Sequence, residues 1–349
     1  MTLNAGRRDF ARNLLHSMAL LGVGGQTLLR SGSLRAAVQQ VQESGAMRSP
    51  WPEMQYRTLG RTGFAGSRLV FGCGATLMKS RRDELLHAAF DAGVNVFDVG
   101  TRRYYDDAER NLAPFLKTHR ERIFLISKAM VYLDVRPDER ITLAQARQAA
   151  QTWSGLLDQS LGDLGVEHVD AYYLMASNNV SVVTSDEIYA AFQRARDAGK
   201  VSYLGLSTHQ NAQAVLEAAI GTGWYDLAMI AITPGGWYNW EDRNILPGSP
   251  TLKELQPLLS RAREAGIGLV GMKAARFIAG RKFLGWGNPD AFDEFYDEQY
   301  LRQKLSPFQR SYAFLLEHGL DAVNADMQNF AHLKENFVAA ANSPRYFVG

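Results

Sequence analysis

Cysteine is almost absent from this chain: Cys73 is the one thiol in 349 residues. A single thiol excludes an intramolecular disulfide framework, a zinc ribbon and a cysteine-ligated iron–sulfur cluster, and no other metal site is expected. No uninterrupted apolar run approaches the roughly 18 residues that a transmembrane helix needs. A dominant charge is missing too. The formal net charge is only +2, which argues against nucleic acid or an anionic membrane as the main partner. Hydrophobic residues at 46% against charged residues at 21% supply a sizeable core and exclude general disorder. The length suits one α/β barrel of about 250 residues with extensions.

The first forty residues differ from the rest. Arg7, Arg8, Arg12, Arg30 and Arg35 face a single acid, Asp9. Gly6-Arg7-Arg8-Asp9-Phe10 leads into a weakly apolar stretch, Leu14 to Leu29, and then small residues at Ala36-Ala37. A charged start, an apolar middle and a small-residue end make an export signal. The paired arginines point to the twin-arginine type, which hands folded proteins to its translocase. An amphipathic helix or a basic arm is the alternative. The expected organisation is a signal peptide over 1–37, a linker over 38–55 and one domain over 56–349, delivered to the periplasm.

From Tyr56 onward a pattern recurs: a short apolar run, a polar junction, then a stretch of helical period. Strands are expected at Arg68–Gly72, Asn95–Val99, Ile123–Ser127, Val169–Leu174, Val201–Leu206, Leu227–Ile232, Gly268–Met272 and Asp321–Ala325. Nearly continuous apolar character fits parallel strands covered on both faces. Helical patterns lie between them, among others at Arg82–Ala92, Leu143–Leu164, Asp186–Ala198 and Asn211–Gly221. Asp91-Ala92-Gly93, Asp197-Ala198-Gly199, Glu264-Ala265-Gly266 and Glu317-His318-Gly319 each precede a strand. Glycine just past a helix tolerates the left-handed backbone that ends it. Eight strands tied to helices predict an α/β fold, a (β/α)8 TIM barrel, with an N-terminal β-hairpin over Tyr56–Phe64. Chemistry in such barrels sits at the carboxyl ends of the strands. Here those ends carry Cys73, Asp98, Lys128, Met175, Ser207-Thr208-His209, Thr233, Lys273 and Asp326.

These residues resemble the aldo-keto reductase family from about Tyr56 to Asn342. Tyr56-Arg57-Thr58-Leu59-Gly60-Arg61-Thr62-Gly63 is similar to its opening hairpin. Phe97-Asp98 with Tyr104-Tyr105-Asp106-Asp107-Ala108-Glu109-Arg110 resembles its aspartate–tyrosine loop and following helix. Ser127-Lys128, Val169-Asp170-Ala171-Tyr172-Tyr173-Leu174 and Gly205-Leu206-Ser207-Thr208-His209 resemble its third, fourth and fifth strands. His332-Leu333-Lys334-Glu335-Asn336 resembles the helix after its last strand. The resemblance implies hydride transfer between NAD(P) and a carbonyl, an alcohol or a sugar. A tyrosine hydroxyl then moves the proton, a lysine lowers that phenol's pKa from about 10, and an aspartate holds the lysine. Asp98 and Lys128 match two of those roles. Counting forward from Asp98 favours Tyr104 as the tyrosine, and counting back from Glu109 admits Tyr105.

The chain also departs from the family pattern. Its fourth catalytic residue, a histidine five positions after the aspartate of strand four, corresponds here to Met175. A thioether donates no hydrogen bond, and His209 is the candidate substitute. The resemblance implies cofactor contacts from Ser207, Thr208, Lys273, Arg276, Gln328 and Asn336, with Trp237, Tyr238 or Trp240 as the stacking ring. After strand eight an arginine often holds a 2′-phosphate, whereas this chain offers Asp326 and Gln328, poor partners for that group. The long segment from Phe277 to Phe308 mixes Phe283, Trp286, Phe292, Phe295, Tyr296 and Tyr300 with carboxylates. That mixture suits a sugar or polyol, or a lid packed on the barrel. Two functions are therefore expected: an exported oxidoreductase with a tightly held cofactor, or a catalytically degenerate barrel serving as a periplasmic binding or partner subunit.

Overall fold

The computed structural model describes residues 53–279 and 287–342. The expected signal peptide lies outside the described residues, as do most of the linker, Phe283 and Trp286. Eight strands run parallel in the order of the sequence: β3 (Leu69–Gly72), β4 (Val96–Asp98), β5 (Phe124–Met130), β6 (Val169–Met175), β7 (Val201–Thr208), β8 (Leu227–Thr233), β11 (Gly268–Met272) and β12 (Ala322–Asp326). β12 pairs with β3, and β7 pairs with β8, so the sheet closes on itself. Helices such as Asp83–Asp91, Leu143–Leu164, Asp186–Asp197 and Pro307–Glu317 connect the strands. This is the expected (β/α)8 barrel. Gly93, Gly199, Gly266 and Gly319 all take positive φ just after a helix.

β1 (Tyr56–Thr58) and β2 (Ala65–Ser67) pair antiparallel before the first barrel strand. The second hairpin strand thus begins just past Phe64, because Gly60–Thr62 forms a 3-10 turn rather than a tight two-residue one. The turn holds the amino-terminal end of the barrel. Leu59 joins the interior core, and the Arg61 guanidinium donates to the carbonyls of Gly223, Tyr225 and Ala265 at 2.6–3.2 Å. Gly60 lies against the backbone of Gly266 and Gly268, where a Cβ has no room.

Side chains alternate along each strand, so every second residue faces the barrel axis. Val70, Val96, Ile126, Tyr173, Val270 and Ala322 fill that interior. Two residues further along, the same inward face carries Gly72, Asp98, Lys128, Met175, Met272 and Asn324. The polar members of that last layer are the site. One element goes beyond the expected eight units. After β8 the chain doubles back in a ribbon of β9 (Gly236–Asn239) and β10 (Asn244–Ile245). Its Tyr238 and Trp240 pack onto the barrel core from above.

Candidate active site

Asp98 ends β4 and Lys128 lies two residues before the end of β5, only 3% and 4% exposed. Register brings Asp326, Gly72 and Asp98 level across β12, β3 and β4. The Lys128 ammonium donates to Asp98 Oδ2 at 2.6 Å, and Asn324 Nδ2 donates to the same oxygen at 2.6 Å. The Asn324 amide also lies 3.3 Å from Met229 Sδ. Its other edge faces Gly72, where a Cβ would come within 2.7 Å of Asn324 Oδ1. Burial pushes the Asp98 carboxyl up, while Lys128 and Asn324 hold it down. Asp98 Oδ1 is buried with no hydrogen-bond partner among the described residues. Asn324 is the member of this candidate site that motif reading passed over. Its signal is a lone amide inside the apolar run Ala322-Val323-Asn324-Ala325.

Both tyrosines sit on the four-residue helix Arg102–Tyr105, which starts four residues past Asp98. Their rings meet edge to face at 4.6 Å, but their surroundings differ. Tyr105 fills the space between Gly74 and Gly100, glycines whose added Cβ atoms would strike its ring. The Lys128 ammonium lies 5.8 Å from its ring centre. Tyr104 is likewise half-buried, with Tyr132 and then Asp326 as its electrostatic neighbours. Tyr132 is 45% exposed and is covered by the Arg103 guanidinium at 5.1 Å. Burial raises both phenols above their ordinary value, Tyr105 strongly. The Lys128 charge is already neutralised by Asp98, so it does not reverse that effect.

A second cluster occupies the other side of the mouth. His209 meets Trp240 edge to face at 4.7 Å, and the Lys273 ammonium lies 5.0 Å above the same indole. Burial outweighs the attraction of Asp326 and brings the Lys273 ammonium down to about 8. Burial, Lys273 and Lys128 together keep the His209 imidazole neutral, with its pKa well below the usual range. Lys273 takes φ 67°, a left-handed conformation uncommon outside glycine. The Arg276 N–H donates to the Lys273 carbonyl at 2.9 Å.

The other expected cofactor residues fall in different settings. Ser207 Oγ accepts the Ala176 N–H at 3.2 Å. The Thr208 hydroxyl donates to the Gln210 carbonyl at 2.7 Å. Trp237 is 3% exposed, with its indole N–H 3.4 Å from Gln213 on the outer helix Ala212–Thr222. Trp240, rather than Trp237, therefore presents a ring to the mouth. Gln328 is half-buried in the turn after β12, and Asn336 is buried on the helix Phe330–Asn342. Met175, at the expected histidine position, is also buried. The described aromatics of the long segment do not form a stacking floor. Phe292, Tyr296 and Tyr300 are buried, with Tyr296 and Tyr300 against Phe314.

The donors present fit a dinucleotide. Lys273 and Arg276 supply cations for a pyrophosphate, Ser207 a hydroxyl and Trp240 a ring beside them. Asp326, exposed at the end of β12, suits ribose hydroxyls and disfavours a 2′-phosphate. Among the described residues no cluster of three or more His, Cys, Asp or Glu could hold a metal ion.

A closed barrel with a buried acid–lysine pair and an adjoining tyrosine on its carboxyl rim has the architecture of a barrel oxidoreductase. Residues 65–244 match the model of the aldo/keto reductase family, more than half of the chain, and the chain belongs to that family. Two solved structures of proteins from Pseudomonas aeruginosa, provisionally assigned as aldo-keto reductases, share the fold. Each is 19% identical and covers 85% of this chain. One superposes with a TM-score of 0.59 over 98% of its own length, the other with 0.57 over 99%.

Proposed function

We propose that this protein transfers a hydride between a nicotinamide cofactor and a carbonyl or alcohol, with Tyr105 moving the proton. The observation that carries this reading is the buried Lys128–Asp98 pair at 2.6 Å with the Tyr105 ring packed beside the ammonium. When bound, the nicotinamide supplies or accepts the hydride. Lys273, Arg276, Ser207, Gln328 and Asn336 would hold the dinucleotide, with Trp240 as its stacking surface.

Tyr105 stays protonated at neutral pH because burial raises its pKa. A protonated phenol can give its proton to the oxyanion of a reduced carbonyl, whereas oxidation of an alcohol needs a phenolate. The protonated phenol is thus in the form that carbonyl reduction uses. Lys128 counters the charge left on Tyr105 after proton transfer, and Asp98 with Asn324 fixes the ammonium in place. Met175 cannot polarise the carbonyl. Neutral His209, across the mouth, retains an N–H donor for that purpose. Tyr104, Tyr132 and Arg103 border the opening and suit a hydroxylated substrate, so sugars and polyols belong in the first screen beside simple aldehydes and ketones.

The sequence up to Ala37 supports export through the twin-arginine translocase to the periplasm, with the cofactor bound before transport. Asp326 supports NAD over NADP. The second reading, a degenerate barrel acting as a partner subunit, draws on buried Met175 and on sixth and eighth strands that depart from the family pattern.

The experiment that tests the proposal is mass and absorbance analysis of the purified, undenatured protein for a bound nicotinamide nucleotide, followed by titration with NADH and NADPH. One nucleotide per chain, with NADH at least as tight as NADPH, is the expected result. No binding of either nucleotide would leave the partner-subunit reading in its place.

A further inference from the structure

A second carboxyl is buried behind the site. Glu109, 1% exposed, lies in the first turn of the helix Ala108–His119, four residues after Tyr105. The Ser127 hydroxyl donates to Glu109 Oε1 at 2.6 Å. The same hydroxyl oxygen accepts the backbone N–H of Lys128 at 2.7 Å. The Ser160 hydroxyl and the Arg102 backbone, at the start of the short tyrosine helix, favour its charged form, while Glu109 Oε2 makes no hydrogen bond among the described residues. One acid, on the helix that follows the tyrosines, thus touches the strand that carries the lysine.

Resting on the reading that Tyr105 and Lys128 move the proton, we propose that Glu109 is a positioning residue that clamps these two segments together. Ser127 fixes the Lys128 peptide to Glu109, and Glu109 sits in the first turn of the helix that follows the tyrosine helix after two residues. The spacing between phenol and ammonium then depends on a group that touches neither substrate nor cofactor. A hydrogen bond to an ionised acceptor is roughly twice as strong as a neutral one, so the clamp is tightest when Glu109 is charged.

The groups around Glu109 define its titration. Asp163, from the helix Leu143–Leu164, opposes its ionisation and is itself paired with Arg110 at 2.8 Å. Tyr172, from β6, stands behind Ser160 at 3.1 Å. Burial outweighs the Ser127, Ser160 and Arg102 contacts and brings the carboxyl up to about 7. The clamp is charged above that pH and neutral below it.

The test compares hydrogen exchange of segments 101–106 and 124–130 in the full-length protein and in Ser127→Ala, Glu109→Ala and Glu109→Gln, at pH 6 and pH 8 after correction for intrinsic rates. Both segments of the wild type should exchange more slowly at pH 8. Ser127→Ala and Glu109→Ala should speed exchange in both segments by about 10-fold, the loss of one buried hydrogen bond, with β11 unchanged. Glu109→Gln keeps an acceptor for Ser127 and should remove the pH dependence while retaining most of the protection. With a redox substrate in hand, kcat should fall in the two alanine variants at unchanged nucleotide KM, and Glu109→Gln should restore it. If Glu109→Ala does not fold, Ser127→Ala and Glu109→Gln carry the comparison. Unchanged exchange in both segments, or an equal rise in all strands, would overturn the clamp. A wild type without turnover but with the expected exchange pattern would count against the redox reading and leave the coupling of the two segments standing.

Discussion

Tyr105 is held by two opposing effects. Burial raises its pKa, while the nearby Lys128 favours the phenolate only as far as Asp98 leaves its charge unspent. Lys273 shows the opposite balance, a cation brought down to about 8 by burial. This value predicts how nucleotide binding follows pH. Lys273 is charged below about pH 8, and a bound phosphate raises its pKa by stabilising the ammonium. Affinity should therefore weaken as pH rises through 8, by up to about 10-fold per unit. Titration from pH 7 to 9.5 should show that slope in the wild type and a flatter profile in Lys273→Met. The acid and the lysine were legible from strand-end position and motif. Asn324 was not, because a single amide in an apolar run carries no spacing signal. The proposal of Tyr105 over Tyr104 draws on packing, since one inserted residue shifts the count.

At the scale of elements, glycines rather than polar groups shape the tyrosine pocket. Gly74, on the helix Cys73–Leu77, lies directly against the Tyr105 ring and leaves no room for a methyl group. Gly74→Ala should displace that ring and reduce turnover by about 10-fold or more, since small misplacements of a reacting group are costly. Its thermal midpoint should fall by only a few degrees, the effect of local overpacking of about 1–3 kcal/mol. Circular dichroism melting alongside the turnover assay separates the two effects. The barrel strands were readable because parallel strands covered on both faces are nearly all apolar. The β9–β10 ribbon was hidden in Gly236–Ile245, where aromatic and polar residues mix without a clear period. Trp240 consequently became distinguishable from Trp237 only when the ribbon's direction was known.

For the whole molecule, the barrel and the amino-terminal segment make separate demands. A folded barrel with a nucleotide bound in its mouth suits a translocase that carries folded proteins. Replacing Arg7 and Arg8 by lysine keeps the charge but removes the planar guanidinium. The precursor should then accumulate in the cytoplasm, as cell fractionation would show. Equal periplasmic delivery of the lysine variant would remove the twin-arginine reading.

The central claim is that Tyr105, Lys128 and Asp98 act together in hydride transfer. Its most direct test is single-turnover NADH oxidation with a carbonyl substrate, comparing wild type, Tyr104→Phe, Tyr105→Phe and Lys128→Met. Tyr105→Phe and Lys128→Met should each slow the reaction by about 10²-fold or more, the range for a positioned acid–base group, and Tyr104→Phe should stay within a few-fold of wild type. Undiminished turnover in Lys128→Met and Tyr105→Phe would contradict the mechanism.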